Sequence, residues 1–155
     1  MVRHLIEFVK GKKGTETATA YVNSLTNEGA SALHYAAQID PAEVETPGDD
    51  RAVIRALLEG GADVSLQTKQ AQESAFHHCA LAGNNEVLSE MISGMSATEV
   101  QKALNRQSAV GWTPLLIAAH RGHMELVTTL LANHARVDVF DLEGRSALHL
   151  AAEHG

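Results

Sequence analysis

The sequence predicts an all-α fold, a solenoid of stacked helix pairs connected by short β-hairpin loops. Three observations support this prediction: a motif recurs along the chain, an apolar helical stripe follows most copies, and the composition is rich in alanine but poor in aromatic residues. The 155 residues include 24 alanines, while Phe, Trp and Tyr together make up 4%. Small side chains let short helices pack closely, as is common in helical repeat proteins.

The motif is clearest in "GWTPLLIAAHRGH", which begins at Gly111. Related stretches are "GRSALHLAAEHG" from Gly144, "QESAFHHCALAGN" from Gln72 and "GASALHYAAQI" from Gly29. The Ser or Thr near the start of each copy falls at Ser31, Ser74, Thr113 and Ser146, with spacings of 43, 39 and 33 residues. A repeat of this length predicts a small structural unit that stacks on copies of itself.

Each unit is predicted to be a pair of helices. Thr113 is a good N-cap, and Pro114 suits the first helical position, where a missing N–H costs nothing. Gly122 supplies the left-handed residue that ends the helix. The apolar positions of the first helix are Leu115, Ala118 and Ala119, and those of the second are Leu126, Val127, Leu130 and Leu131. Helices this short are marginal alone in water, so the pair has to stack on neighbours.

The repeats divide the chain into five parts. Residues 1–23 form a truncated repeat, consisting of a second helix and an extended exit loop. Three full repeats follow, over residues 24–66, 67–106 and 107–139. Residues 140–155 form another truncated repeat, consisting of a hairpin and a first helix.

The full repeats depart from regularity in several places. The first carries the insertion "IDPAEVETPGDD" between its helices, with five acids and no base. In the second, Ser96 and Glu99 form a capping-box pattern that predicts an additional short helix. Gln72 stands where the other copies have Gly. His134 takes a helix-end position held earlier by Gly61, which His tolerates better than most residues when φ is positive.

The pattern "G-x-T-P-L-x-x-A-A-x-x-G-H", followed by "L-L-x-x-x-A" and a polar loop, resembles the ankyrin repeat over nearly the whole chain. The resemblance implies a curved solenoid whose concave side and hairpin fingers recognise proteins. It also implies that His34, His77 and His149 hydrogen-bond neighbouring loops. The apolar residues expected between adjacent units are Leu33, Phe76, Leu115, Leu130, Leu131 and Leu148.

The insertions, together with "QSAVGWTPLLIAAHRGHMELV" and "LANHARVDVFDLEGRSALHLAAE", are similar to a middle segment of the ankyrin array in the NOMPC (TRPN-type) mechanosensory channels. In that family the array is cytoplasmic, coils into a spring and links a transmembrane cation pore to microtubules. The resemblance implies an elastic tether on the cytoplasmic side of the plasma membrane. Its partners would be adjacent repeats, neighbouring channel subunits and, for the parent protein, microtubules. A soluble ankyrin adaptor that binds a protein partner is the alternative.

Charge and composition argue against several other partners. The net charge of −7 does not suit nucleic acid or an anionic membrane surface. No apolar run approaches the roughly 20 residues that span a bilayer, so membrane contact by this segment is not expected. Cys79 is the single cysteine, which excludes an internal disulfide and fits a reducing compartment.

Several residues are candidates for contact with a partner. Trp112, the single Trp, stands at a junction between finger and helix, where core packing and partner contact are both open. The acidic insertion is either a solvated loop or a docking surface. The other candidate contacts are Phe140, Arg121, Glu43, Glu45, Asp49 and Asp50.

A catalytic or metal site is not favoured. His120 and His123 are separated by the helix-ending Gly122, and no Asp, Glu or Cys stands at ligand spacing beside them. Cys79 shares no helix face with His77 or His78, and no third group is available to orient such a pair. The chain is therefore predicted to be non-catalytic and to need no cofactor.

Overall fold

The computed structural model describes residues 1–43 and 49–154, apart from the side chains of residues 43, 49, 50 and 154. These residues contain ten α-helices and one short 3-10 helix, Pro41–Glu43. In chain order the α-helices are α1 (Val2–Lys13), α2 (Thr15–Val22), α3 (Ala32–Ala37), α4 (Asp49–Glu59), α5 (Ala75–Ala82), α6 (Asn85–Ile92), α7 (Ala97–Leu104), α8 (Pro114–Arg121), α9 (Met124–Ala132) and α10 (Ala147–His154).

Most of the helices form two rows. The inner row runs α3, α5, α8, α10, and the outer row runs α1, α4, α6, α9, with each helix packed on the next in its row. The pairs α3–α4, α5–α6 and α8–α9 join the rows. This is the predicted all-α solenoid of helix pairs. Within the described part of the chain, no helix is both long and apolar enough to cross a bilayer.

The inner helices begin and end as their sequences predict. The Thr113 hydroxyl accepts a hydrogen bond from the Leu116 N–H at 3.3 Å, and Pro114 takes the first helical position of α8. Gly122 ends that helix in the left-handed conformation, with φ of 72°. Capping at one end and glycine at the other confine α8 to eight residues.

The loops between repeats turn tightly but form no regular strand in the described residues. The Ser108 N–H donates to the Trp112 carbonyl at 2.8 Å, and the Gly111 N–H donates back to the Ser108 carbonyl at 2.9 Å. Among the described residues, one isolated antiparallel bridge joins Gln67 and Ser74. The predicted hairpins are therefore present as turns with little β-ladder.

The irregular elements were predicted in part. The extra helix after Ser96 is confirmed as α7, whose Val100 and Leu104 are buried. His134 has the expected positive φ, and Gln72 also adopts a positive φ, of 51°.

The exit loop expected near the N-terminus is instead largely helical. Residues 15–22 form α2, which packs on α1. Ala18 and Val22 are four residues apart and both buried, so they form an apolar stripe on one face of the helix. This short stripe explains why the segment folds as a helix.

The core lies between the two rows, and most of the apolar residues expected there are buried. The buried set includes Leu33, Phe76, Leu115 and Leu130. The structure differs for Leu131, which is 42% exposed, and Leu148, which is 83% exposed. Both line a groove along α9 and α10 that no other described helix covers, so the contacts expected for them are not made.

Candidate functional site

A groove crosses the inner row at the C-terminal ends of its helices. Leu81 and Ala82 line it from α5, His120 and Arg121 from α8, and Glu153 from α10. Asp40, which follows α3, and His123 complete the lining of this cavity of about 520 Å³. We call it the inner groove. It draws residues from four successive repeats.

Two local features place charged groups in the inner groove. Gly122 ends α8 directly after Arg121, so this cation lies at the C-terminal end of a helix, where the helix dipole favours positive charge. The buried Asn84 side chain donates from Nδ2 to the Ile39 carbonyl at 3.3 Å and thereby holds the backbone beside Asp40. The groove consequently presents the cation of Arg121 together with the acids Asp40 and Glu153.

Trp112 connects the fingers to the inner groove. Its ring meets the His120 ring edge to face, with centroids 5.1 Å apart. Its Nε1 donates to Asp141 Oδ2 at 3.1 Å, and the Arg145 guanidinium lies 5.9 Å from the ring centroid. Trp112 is half-buried, so it packs against neighbours and still offers a surface. Through His120 the structure brings Trp112 to the groove that Arg121 lines.

An ion-pair cluster stabilises the edge of this surface. Arg145 lies 2.9 Å from Asp141, 3.3 Å from Glu143 and 3.9 Å from Glu153. Burial alone would raise the pKa of the Asp141 carboxyl. Hydrogen bonds from the Arg145 and Glu143 backbones and from the Arg145 and Trp112 side chains outweigh that effect and lower the pKa. Asp141 therefore stays ionised and fixes both Trp112 and Arg145.

The other candidate contacts lie in different places. Phe140 is 55% exposed in the loop before α10, and its carbonyl accepts a hydrogen bond from Gln107 Nε2 at 3.2 Å. Arg121 is exposed. Among the acids of the insertion, Glu45 and the side chains of Glu43, Asp49 and Asp50 lie outside the described residues.

Two motif histidines link successive repeats. His34 Nδ1 accepts a hydrogen bond from the Ser31 backbone N–H at 3.1 Å, so the ring proton has to be on Nε2. That Nε2 donates to the Glu73 carbonyl of the next repeat at 3.2 Å. His77 repeats the arrangement between Ser74 and the Trp112 carbonyl, at 3.1 and 3.0 Å.

His149 reproduces only half of this pattern. Its Nδ1 accepts from the Ser146 N–H at 3.2 Å, but its side chain is exposed.

Burial lowers the pKa of His34 below its usual value and lowers the pKa of His77 to about 4. The buried pair therefore stays neutral at physiological pH.

The sequence patterns did not predict a neighbouring half-buried pair, His78 with Glu73. The His78 ring meets the His34 ring edge to face at 5.3 Å, and its Nε2 lies 3.6 Å from Glu73 Oε2. Neither ring nitrogen has a hydrogen-bond partner among the described residues. Burial lowers the pKa of His78 to about 4 and raises the pKa of Glu73. One feature of the sequence could have indicated this pair: His78 stands at the repeat position that Ile117 occupies in the next repeat.

The cysteine and the histidines do not form a reactive site in the described part of the chain. Cys79 is fully buried, its Sγ donates to the Asn84 carbonyl at 3.1 Å, and burial raises its thiol pKa to about 12. Such a thiol is not a nucleophile at neutral pH. No group of three or more His, Cys, Asp or Glu side chains among those described is placed to hold a metal ion.

Known proteins share this architecture. Residues 76–155 match the family model "Ankyrin repeats (3 copies)", and residues 28–69 match the model "Ankyrin repeat". The rice protein "Probable E3 ubiquitin-protein ligase XBOS32" is 37% identical over 108 residues, which cover 68% of this chain and 21% of that protein.

Two further relatives cover more of the chain. The "Probable 26S proteasome regulatory subunit p28" of Saccharomyces cerevisiae is 30% identical over 131 residues, 84% of this chain and 51% of that protein. The "Neurogenic locus notch homolog protein 1" of Xenopus laevis is 30% identical over 130 residues, 84% of this chain and 5% of that protein. The chain thus spans from 5% to 51% of the length of these relatives. Given the recurring motif, the two rows of helices and the family models that match most of its length, the chain belongs to the ankyrin-repeat family.

Proposed function

We propose that the chain is a protein-recognition module that holds a segment of its partner in the inner groove. The observation that carries this proposal is the position of Arg121 in that groove, on the same helix as His120, whose ring contacts Trp112. The groove draws residues from four repeats, presents a cation and has an aromatic surface beside it, so it suits an extended peptide better than a small substrate.

The groove also contains an unused hydrogen-bonding group. His120 Nδ1 is buried and has no hydrogen-bond partner among the described residues. Buried polar atoms normally have partners, but this one has almost no accessible surface, so a peptide amide would reach it only if the His120 ring turned on binding. From Arg121 and Trp112 we expect the preferred peptide to place a carboxylate against Arg121 and an apolar side chain against Trp112.

The relatives support a role in protein recognition rather than one shared enzymatic reaction. By their names they include a ubiquitin ligase, a proteasome regulatory subunit and a notch protein, which share no single chemistry. The part they share with this chain is the ankyrin array, whose family members are typically non-catalytic interaction modules.

Trp112 provides a direct test, because it is the only Trp in the chain. A peptide library with one acidic and one apolar anchor would be screened on the immobilised chain, and the binders titrated while Trp112 fluorescence is measured. We expect Arg121→Glu to weaken binding at least about tenfold by reversing the anchoring charge. The control is Arg136→Glu, which changes an exposed arginine whose side chain pairs with Asp138 in the loop after α9. Equal affinity for wild type and Arg121→Glu would refute the groove assignment.

A second candidate function is more specific: the chain would be part of the elastic tether of a mechanically gated TRP-type channel. It is supported by the sequence resemblance and by polar links between successive outer helices. Arg3 bonds Glu59 at 2.8 Å, Arg55 bonds Glu90 at 2.8 Å, and Asn85 bonds Glu125 at 3.0 Å. A load along the rows would be shared among these similar interfaces.

The tether and the soluble adaptor differ in the parent protein. In the tether role the parent would lie at the cytoplasmic side of the plasma membrane, contact neighbouring channel subunits and reach microtubules. Sequencing the parent transcript past both ends of this chain separates the two. Many further repeats followed by several apolar spans of about 20 residues support the tether. A stop codon after a few more repeats, with no such span, supports the adaptor.

A further inference from the structure

The inner helices differ in whether two neighbouring positions of the repeat can take up a proton. The first position lies three residues after the capping Ser or Thr and holds His34 in α3 and His77 in α5. The second position is the next residue and holds His78 in α5. His34 and His77 are buried, and the His78 side chain is only 15% exposed. In α8 the same two positions hold the apolar Leu116 and Ile117, so the titratable rings lie in α3 and α5.

The contact between α3 and the next repeat brings two of these rings together. We call this contact the first joint and define it by His34, Glu73 and His78. The His34 and His78 rings meet edge to face across it, with centroids 5.3 Å apart. Two imidazolium rings at this distance repel each other, and burial leaves little water between them to screen the repulsion. The closed joint therefore disfavours a charge on both rings.

The hydrogen bonds of His34 also require a neutral ring. Its Nδ1 accepts the Ser31 N–H at 3.1 Å, and its Nε2 donates to the Glu73 carbonyl at 3.2 Å. A proton added to Nδ1 would point at the Ser31 N–H, so the ring would no longer accept that hydrogen bond. Protonation of His34 thus removes a bond that caps α3, whatever the charge on His78.

His78 lies near one acid but does not bond it. Its ring nitrogens have no hydrogen-bond partner among the described residues, and Glu73 Oε2 lies 3.6 Å from Nε2. Burial and the neighbouring His34 lower the pKa of His78 to about 4. Burial also raises the pKa of Glu73, so this carboxylate loses its charge earlier than usual as the pH falls. Glu73 therefore gives a protonated His78 little support in acid.

The other titratable and charged groups around the first joint are cationic in acid or paired elsewhere. His77, on the same helix as His78, and Arg106, which follows α7, both add positive charge. Burial, His78 and Arg106 together lower the pKa of His77 to about 4. The charged side chains of α4 and α6 pair with each other along the outer row, Arg51 with Glu86 and Arg55 with Glu90. These groups therefore do not neutralise a proton placed on the rings of the joint.

We propose that the first joint is an acid-sensitive switch, in which proton uptake by the His34–His78 pair releases α3 and α4 from α5 and α6. Helices α1 and α2 leave with them, because α1 packs on α4. Each repeat contacts only its neighbours, so one weakened joint can open while the later helices stay packed. The released helices are short and lose structure without their neighbours, and they refold when the protons leave.

Hydrogen exchange tests this switch segment by segment. Deuterium uptake by the 155-residue chain would be followed by mass spectrometry from about pH 7 to about pH 4. Each rate is divided by the rate of the unfolded sequence at the same pH, which gives the protection factor. Peptides from α3 and α4 report on the first joint, and peptides from α8 and α9 report on the later repeats.

Three variants separate the histidine pair from the rest of the chain. His78→Leu removes one ring, and the buried Leu150 at the same repeat position shows that an aliphatic side chain fits there. His4→Leu is the matched control, because His4 is an exposed histidine of α1. Glu73→Gln removes the acid 3.6 Å from His78. Circular dichroism at neutral pH would verify that every variant folds.

On acidification, the protection of α3 and α4 in the wild type should fall at least about tenfold more than the protection of α8 and α9. His78→Leu should remove most of this difference, whereas His4→Leu should keep it. Glu73→Gln should make the fall steeper, because the folded state then lacks an acid whose own proton uptake opposes the opening.

Other outcomes would overturn the proposal. An equal loss of protection in both sets of peptides would show that acid unfolds the array as one unit. An undiminished difference in His78→Leu would show that the pair does not control the joint. Loss of the difference in His4→Leu would place the sensor of pH outside the joint.

Discussion

The imidazole of His77 donates from Nε2 to the backbone carbonyl of Trp112, 3.0 Å away, and so joins two successive repeats. The same ring accepts the Ser74 N–H on its other nitrogen and thereby caps α5. One buried side chain thus satisfies a helix terminus and a carbonyl of the next loop. Both bonds require the neutral ring with its proton on Nε2.

The first prediction is that His77→Ala destabilises the protein by about 2 to 4 kcal/mol. The substitution removes a buried ring and leaves the Trp112 carbonyl and the Ser74 N–H without their partner. The measurement is the free energy of unfolding in urea. The control, His149→Ala, removes the same cap from an exposed ring and should cost less than about 1 kcal/mol. Equal losses in the two variants would contradict a special role for the link between repeats.

The second prediction is that stability falls as pH is lowered from about 6.5 to about 4. Burial lowers the pKa of His77 and of His78 to about 4, so the unfolded chain binds more protons in this window. His34 has a lowered pKa and acts in the same direction. The raised pKa of Glu73 acts in the opposite direction over its own range, since there the folded carboxyl binds more protons. Urea unfolding at a series of pH values measures the slope.

His78 allows one part of this slope to be isolated. Its ring nitrogens are buried without hydrogen-bond partners among the described residues, and Ile117 occupies the same position in the next repeat. His78→Leu should therefore stabilise the protein at pH 7 by about 1 to 2 kcal/mol and make the pH dependence shallower. An unchanged slope would show that His78 does not titrate in this window.

Features set by a few neighbouring residues were predictable from the sequence. Thr113, Pro114 and Gly122 determine where α8 begins and ends, and the capping pair Ser96 and Glu99 marks α7. The repeat spacing then predicted the stacking of these helices, because each pair buries its apolar face only against another pair.

Features that depend on distant contacts were not predictable in the same way. The contact between Trp112 and His120 depends on the direction in which the His120 side chain extends from α8. The placement of Asp40 in the inner groove depends on the buried Asn84. The exposure of Leu148 arises because no outer helix packs on α10 among the described residues, whereas a repeat alignment assumes one. These properties arise from packing between segments rather than from local pattern.

The third prediction concerns Gly83, which ends α5 with φ of 72°. A Cβ atom added there would lie 2.6 Å from Cε1 and Nδ1 of His123, whose ring also bonds the Leu81 carbonyl at 3.3 Å. The control is Gly144, which has φ of 77° and no atom within 4 Å of an added Cβ. Both Ala variants carry the backbone strain, so Gly83→Ala should cost about 1 to 3 kcal/mol more than Gly144→Ala. Thermal melts would measure the difference, and adding His123→Ala to Gly83→Ala should recover most of it.

The fourth prediction compares two adjacent leucines of α9. Leu130 is fully buried, whereas Leu131 is 42% exposed in the groove along α9 and α10. Leu130→Ala should reduce the free energy of unfolding by about 2 to 5 kcal/mol, because it leaves a cavity between the helix rows. Leu131→Ala should cost less than about 1.5 kcal/mol, since it removes few buried contacts.

Urea unfolding of both variants measures the difference between the two costs. A loss for Leu131→Ala as large as that for Leu130→Ala would contradict the difference in burial between the two side chains.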